Sequence, residues 1–305
     1  MEKLLNPRRK GSKGEGGFAA LLLSPTALVL AAVVLMPLVV TFAYSLMNMN
    51  LLSSRKGAFV GLSNYEGVVA SSWFWASLGR TVYFTFVSLA TETVLGLLVA
   101  LLLNQKFKGV GFLRTLVILP WAIPTNVSAA LWKWIYHPEY GVLNAVLSAF
   151  GLIPTYQAWL SDPFGAMNMV ILADVWKMTP LAAVFFLAAL QFVNKAMYEA
   201  ARIDGAGAFR RFFTITIPFL MPTILVIVVM RTVEKFKAFD LFYVLTRGGP
   251  ADGTKVLTYE AFLRGFTNLD YSMAATIAYL IAFLILGLTI LYLKVLKTQE
   301  GVQDE

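Results

Sequence analysis

The segment YSMAATIAYLIAFLILGLTILYL, residues 271–293, contains no Asp, Glu, Lys, Arg or His. At about 1.5 Å per residue, a helix of that length reaches across a hydrocarbon core about 30 Å thick. Residues 16–54 and 212–230 are equally free of charge. Over the whole chain of 305 residues, 58% are apolar and only 14% charged, with a mean hydropathy of +0.71, whereas soluble proteins carry about 25% charged residues. The sequence therefore reads as an all-α, polytopic membrane protein, and composition excludes both an ordinary soluble enzyme and a disordered chain.

Working outward from that segment, the apolar runs predict six spanning helices, at residues 18–47, 78–103, 112–136, 167–191, 217–246 and 271–294. The first follows Arg8, Arg9 and Lys10 as a secretory signal does. A signal core, however, spans about 7–15 residues. This run is far longer and lacks a small-residue cleavage site, so it reads as a retained helix. The organisation is then an N-terminal tail (1–17), a six-helix membrane domain (18–294) containing a polar connection at 192–216, and a C-terminal tail (295–305). Glycines among basic residues make the N-terminal tail read as a mobile, solvated leader.

The two tails and the connections between helices 2 and 3 and between 4 and 5 hold fourteen Lys and Arg, against six in the opposite connections. Cytoplasmic loops are the ones enriched in Lys and Arg, so both termini and the 192–216 loop are expected in the cytoplasm. The basic isoelectric point of about 9.6 is then a topology signal and does not call for nucleic acid. Trp73, Trp75, Trp132, Trp134 and Trp159 fall at the expected outer interface, where an apolar ring with a polar N–H is favoured. The outer segment 137–166 has no Lys or Arg. Within it, residues 142–150 show helical apolar spacing between Gly141 and Gly151, which predicts a short interfacial helix.

Cysteine is absent, which excludes disulfides, thiolate metal sites and cysteine nucleophiles. The single histidine, His137, precedes Pro138 in a polar stretch and reads as a solvated loop residue. A histidine-based metal site or hydrolytic triad has no material here.

Charges inside the spans are the chemical signal. A charge in hydrocarbon costs at least about 2.5 kcal/mol on insertion scales, so it faces a cavity or a partner. Glu92 falls in helix 2, Asp174 and Lys177 in helix 4, and Arg231, Glu234, Lys235, Lys237 and Asp240 in helix 5. Residues three apart share a helix face. That spacing predicts pairs between Asp174 and Lys177, Arg231 and Glu234, and Glu234 and Lys237. Such a charged stripe serves either a water-filled path for a hydroxyl-rich solute, or ion pairs between subunits and side chains snorkelling to the interface. Lys235 reads as structural. Pro120 and Pro124 in helix 3 and Pro180 in helix 4 favour kinks. Trp121 and Trp176 offer sugar-stacking faces, with core packing the expectation for each.

The connection between helices 4 and 5 reads, from Tyr198, YEAARIDGAGAFRRFFTITIP. Residues 199–203 favour a helical turn, Gly205 and Gly207 permit a break with positive φ, and 209–215 resume a helix. Small Ala200 and Ala201 allow close approach, while Glu199 and Asp204 offer charge-assisted hydrogen bonds. Such a bend suits docking into a cleft of a soluble partner, or equally an amphipathic connector closed by a capping glycine.

The pattern Glu199-Ala200-Ala201, Gly205, Ile215 and Pro218, with Ile217 where Leu is usual, resembles the coupling-loop signature of membrane permease subunits of binding-protein-dependent ATP-binding-cassette importers. The longer form from Glu199 to Ala206, and the run from Phe239 through Asp240 and Tyr243 to Gly248, Gly249 and Pro250, are similar to the sugar-importing, maltose-type branch. The resemblance implies a type I importer permease in a prokaryotic cytoplasmic membrane, paired with a second permease subunit around a shared path. It also implies two ATPase subunits, an external solute-binding protein and a sugar cargo, with no nucleic acid. No cofactor is implied for this chain, since ATP and Mg²⁺ belong to the partner ATPases. Glu199, Ala200, Ala201, Asp204 and Gly205 would make the coupling contact. Carried over by position, substrate contacts would come from Asp174, Lys177, Met178 and Leu181 and from Met230, Arg231, Glu234 and Lys237.

The chain is not expected to hydrolyse ATP. Its nearest phosphate loop, from Gly248 to Lys255, places Thr254 before Lys255, the reverse of the order that brings lysine to the phosphates and hydroxyl to Mg²⁺. A di- or oligosaccharide of the maltose or trehalose kind is the expected cargo, and Arg231 and Lys237 keep glycerol-phosphate or another polyol open. An ion-coupled secondary transporter would use Asp174, Glu234 and Asp240, although the related halves common in such proteins are not visible. A membrane-embedded hydrolase would need a pair such as Asp174 and Asp240.

Overall fold

The computed structural model describes residues 13–52 and 57–303, with side chains described for 21–52 and 57–294. The expected leader up to residue 12 and the last two residues of the C-terminal tail lie outside the described residues.

The regular elements of the described residues are helices, with two isolated β-bridges in the connections. The helices are α1 (Lys13–Leu30), α2 (Met36–Ser45), α3 (Ser63–Val69), α4 (Ser72–Leu103), α5 (Val110–Ala122), α6 (Thr125–Ile135) and α7 (Val142–Ala149). They continue as α8 (Pro163–Leu190), α9 (Lys195–Ile203), α10 (Ala208–Arg211), α11 (Ile217–Phe236), α12 (Asp240–Leu245), α13 (Leu257–Phe262) and α14 (Tyr271–Gln303). Three π-helical turns, Ala31–Leu35, Phe212–Thr216 and Leu263–Thr267, join α1 to α2, α10 to α11, and α13 to its exit. Five stretches are long and apolar enough to cross a membrane, or six if the bent pair α5 and α6 is one span. The protein is a multi-pass membrane protein. The end carrying α9 is called the loop end below, and the opposite one the far end.

The expected third helix, 112–136, is corrected to two helices meeting at 96°. Pro124 is the reason: the residue before a proline is pushed out of the α region, and Ile123 is extended at φ −72, ψ 130. The fifth helix is also corrected. It breaks at residues 237–239 instead of running to 246, with Phe239 at φ −131. Its ring lies 5.3 Å from Tyr243 and 4.9 Å from Phe262, so the chain leaves the helix where it joins an aromatic cluster. At the loop end this span begins earlier than expected, at Ala208.

The parallel pair α4 and α8 forms the spine. Gly96 makes that contact possible, since a Cβ there would sit 2.6 Å from the Ala182 Cβ; small residues bring membrane helices into close approach. Around the spine lie three cores, one of them joining Val68 and Phe74 to Leu257, Ile277 and Ile281. The far-end core gathers Phe84, Tyr136, Val170 and Phe242, and the loop-end core Leu103, Phe186, Leu190, Ile215, Leu220 and Ile227. The short helix expected at 142–150 is α7, one residue shorter than expected. Buried Asn144 pins it, accepting from Trp159 Nε1 at 2.9 Å and donating to the Gln157 carbonyl at 2.9 Å.

Candidate functional site

Near the middle of the bundle, a cavity of about 470 Å³ opens between the α5–α6 bend, α8, α11 and the start of α12. That volume is within the roughly 300–1,000 Å³ usual for small-molecule sites. Of the sequence-predicted pathway residues, Asp174, Met178, Leu181, Met230, Arg231, Glu234 and Lys237 all line it. The spacing explains part of this convergence: 174, 178 and 181 succeed one another on one face of α8, and 230, 231 and 234 on one face of α11.

Lys177 is the exception. It is buried but does not line the cavity. The expected Asp174–Lys177 pair is corrected as well, because Lys235 of α11 pairs with the Asp174 carboxylate. The Glu234–Lys237 pair does not form either: α11 ends at Phe236, so Lys237 leaves the helical register. Arg231 does pair with Glu234 as expected.

The wall of the cavity is a buried ion network across three helices. Glu92 on α4 is fully buried. It accepts from Arg231 Nε at 2.6 Å and from Arg231 Nη2 at 3.4 Å, and its second oxygen lies 2.9 Å from Lys235 Nζ. Lys235 completes the bridge to Asp174 and sits 5.4 Å over the Phe84 ring. Each of these charges alone would be costly in the membrane, and sharing two cations among three carboxylates offsets much of that cost. The lining of the cavity is charge-balanced, with Asp174, Glu234 and Asp240 against Arg231, Lys235 and Lys237, and Glu92 lies behind it in the network. The hydrogen-bonding rim is left to Glu234, Lys237 and Asp240, which are exposed and face the cavity.

Trp121, expected in the core, is instead exposed on the cavity wall beside Thr125, placed there by the bend. Trp176, also expected in the core, is exposed as well, its ring meeting Trp132 edge-on with centroids 5.6 Å apart. Sequence reasoning did not place Glu92, Lys235, Phe185 or Phe239 at the site. For Glu92 the signal was present: a carboxylate in an apolar helix with no cation three or four residues away requires a partner on another helix.

The 192–216 connection forms a second candidate surface. Asn194 caps α9 by accepting from the Ala196 N–H at 2.9 Å. A Schellman closure ends the helix, with Gly205 N–H donating to Arg202 O at 3.0 Å and Ala206 N–H to Ala201 O at 2.8 Å. This closure needs a left-handed residue, and Gly205 supplies it at φ +76. Gly207, for which a positive φ was also expected, is extended at φ −65. Tyr198 hydrogen-bonds Thr216 at 2.7 Å, tying α9 to the π-turn below α11. Glu199, Ala200, Asp204 and Gly205 are exposed, Ala201 is half-buried, and Met197, Ile203 and Phe209 leave apolar surface open around them.

Residues 92–296 match the family model described as binding-protein-dependent transport system inner membrane component. The trehalose/maltose transport system permease protein MalF of Thermococcus litoralis is 40% identical over 296 residues, covering 97% of this chain and 98% of that protein. The trehalose transport system permease protein SugA of Mycobacterium tuberculosis is 34% identical, over 85% of this chain and 83% of its own. In fold, the chain is similar to a crystal structure of a bacterial ABC transporter involved in the import of the acidic polysaccharide alginate, with a TM-score of 0.79, 24% identity, and coverage of 93% and 96%. The matched region contains the ion network, the cavity and α9, so the chain belongs to the binding-protein-dependent transport system inner membrane component family.

Proposed function

We propose that this chain is the permease subunit forming half of the translocation path of an ATP-driven importer for a neutral di- or oligosaccharide of the trehalose or maltose kind. The observation that carries the reading is the charge-balanced cavity beside the α5–α6 bend. Its cations are largely held by the chain's own carboxylates, while Trp121 offers a ring face and Glu234, Lys237 and Asp240 offer donors and acceptors to hydroxyls. A phosphate-bearing cargo would have to compete with Glu92, Asp174 and Glu234 for Arg231 and Lys235, which disfavours glycerol-phosphate. The names of the trehalose and maltose relatives support the same cargo class.

The rest of the assembly follows. The loop end faces the cytoplasm with both termini, as the Lys/Arg asymmetry indicates. Glu199, Ala200, Ala201, Asp204 and Gly205 dock into one of two ATPase subunits, a second permease subunit completes the path, and an external binding protein delivers the sugar. ATP and Mg²⁺ are held by the ATPases. No bond is made or broken in this chain. Its role is to switch the cavity from one side to the other when the ATPases close.

Glu199→Lys tests the coupling half of this reading. The side chain is exposed and in no ion pair among the described residues, so the change in fold stability stays within about 0.5 kcal/mol. In proteoliposomes containing the complete transporter, we expect saccharide-stimulated ATP hydrolysis and trehalose or maltose uptake to fall together at an unchanged melting temperature. Uptake at the parental rate contradicts docking through α9. Wild-type uptake of glycerol 3-phosphate in preference to either disaccharide contradicts the cargo class.

A further inference from the structure

A second polar basin, of about 680 Å³, lies at the loop end where α4 stops and α5 begins. Lys106, Lys108 and Arg114 line it with Asn104, Gln105 and Gln191, and no carboxylate does. Arg114 donates to the Leu103 carbonyl at 2.9 Å and is thereby held at the rim. Neither lysine forms an ion pair among the described residues. Three cations gathered without a counter-charge repel one another unless an anion sits between them.

The depth of the basin identifies the anion. Spans α4 and α8 both end here, at Leu103 and Leu190, so the basin lies at the membrane boundary. Above it on α5, Phe112, Leu116 and Leu119 form one exposed apolar stripe, and on α4 Leu95, Leu98 and Leu102 form another. Phe107 and Val110 make the basin's apolar lip. A polar floor of cations under two apolar stripes is the inverse of a phospholipid: phosphate below, acyl chains above. Basic pockets between helices on the cytoplasmic side bind such headgroups.

We propose that Lys106, Lys108 and Arg114 form a binding site for the phosphate of an anionic membrane phospholipid, whose acyl chains lie along α4 and α5. Gln191 caps α8 immediately before the 192–216 loop, so the headgroup braces the base from which α9 springs. The inference rests on the multi-pass architecture and not on the sugar reading.

The test is native mass spectrometry of the assembled transporter in detergent, offered phosphatidylglycerol and phosphatidylcholine in equal amounts. Wild type is expected to retain phosphatidylglycerol preferentially. Lys106→Gln with Lys108→Gln is expected to lower that preference about thirtyfold, taking each lysine at its usual contribution near a charged headgroup. Lys106→Arg with Lys108→Arg is expected to restore it, and both lysines are exposed, so folding is not at issue. Equal retention of the two lipids by wild type, or an undiminished preference in the Gln variant, overturns the site. Displacement of the lipid by millimolar inorganic phosphate identifies a soluble-anion site instead. Cross-linking of Lys106 to a carboxylate of another subunit identifies a protein contact. Either result overturns the proposal.

Discussion

Glu92 shows what a single residue contributes. It is the only carboxylate in α4, and it neutralises cations from a helix 139 positions further along the chain. Removing it leaves Arg231 dependent on partly exposed Glu234 and Lys235 dependent on Asp174. Breaking one partner of a buried ion pair costs about 3–5 kcal/mol, so Glu92→Ala is expected to lower the melting temperature and folded yield of the solubilised complex sharply. Glu92→Gln, which keeps an acceptor oxygen, is expected to lose less. Equal stability of Glu92→Ala and wild type would mean that the network does not hold the bundle together. The sequence made the need for a partner visible but not its identity. Local spacing favoured Asp174 with Lys177, and the packing of α8 against α11 selected Lys235 instead. Pair choices of this kind depend on helix rotation, which periodicity in an almost wholly apolar helix does not define.

At the scale of elements, the apolar runs made the spans readable because length against bilayer thickness is a strong constraint. The two breaks that shape the cavity were less visible. Pro124 was a kink signal, yet only the extended conformation of Ile123 turns a kink into a 96° bend and exposes Trp121 and Thr125. The break at 237–239 has no proline and follows from the aromatic cluster around Phe239, a contact with α13 that local sequence does not announce. In α9 the left-handed Gly205 was legible, since few other residues close a helix that way. The α4–α8 contact gives the element-scale prediction. At Gly96 a Cβ meets Ala182 at 2.6 Å and the Ala183 nitrogen at 3.1 Å, so Gly96→Val must separate the spine helices. Overpacking of this kind costs about 1–3 kcal/mol, and differential scanning fluorimetry of the complex is expected to show the loss. Gly287, where an added Cβ meets nothing within 4 Å, is the control: Gly287→Ala is expected to be neutral or slightly stabilising, and matching effects at both positions would contradict the close-approach argument.

For the whole molecule, the cavity and α9 are joined by the same two spans, α8 and α11. The span from Ala208 to Phe236 begins just after α9 and carries Met230, Arg231 and Glu234 to the cavity, while α8 joins Asp174, Met178 and Leu181 to the loop's other end. Under the proposed function, displacement of the loop is transmitted along both walls of the cavity. The cysteine-free chain allows this to be read directly by placing one thiol at Leu181→Cys in the complete transporter in proteoliposomes and following its labelling by a membrane-impermeant maleimide. The account predicts labelling from one side of the membrane in the nucleotide-free state, protection by trehalose or maltose delivered by the binding protein, and transfer of accessibility to the opposite side as ATP is turned over. Labelling that neither responds to saccharide nor changes side with ATP would contradict the claim that this cavity is the translocation path.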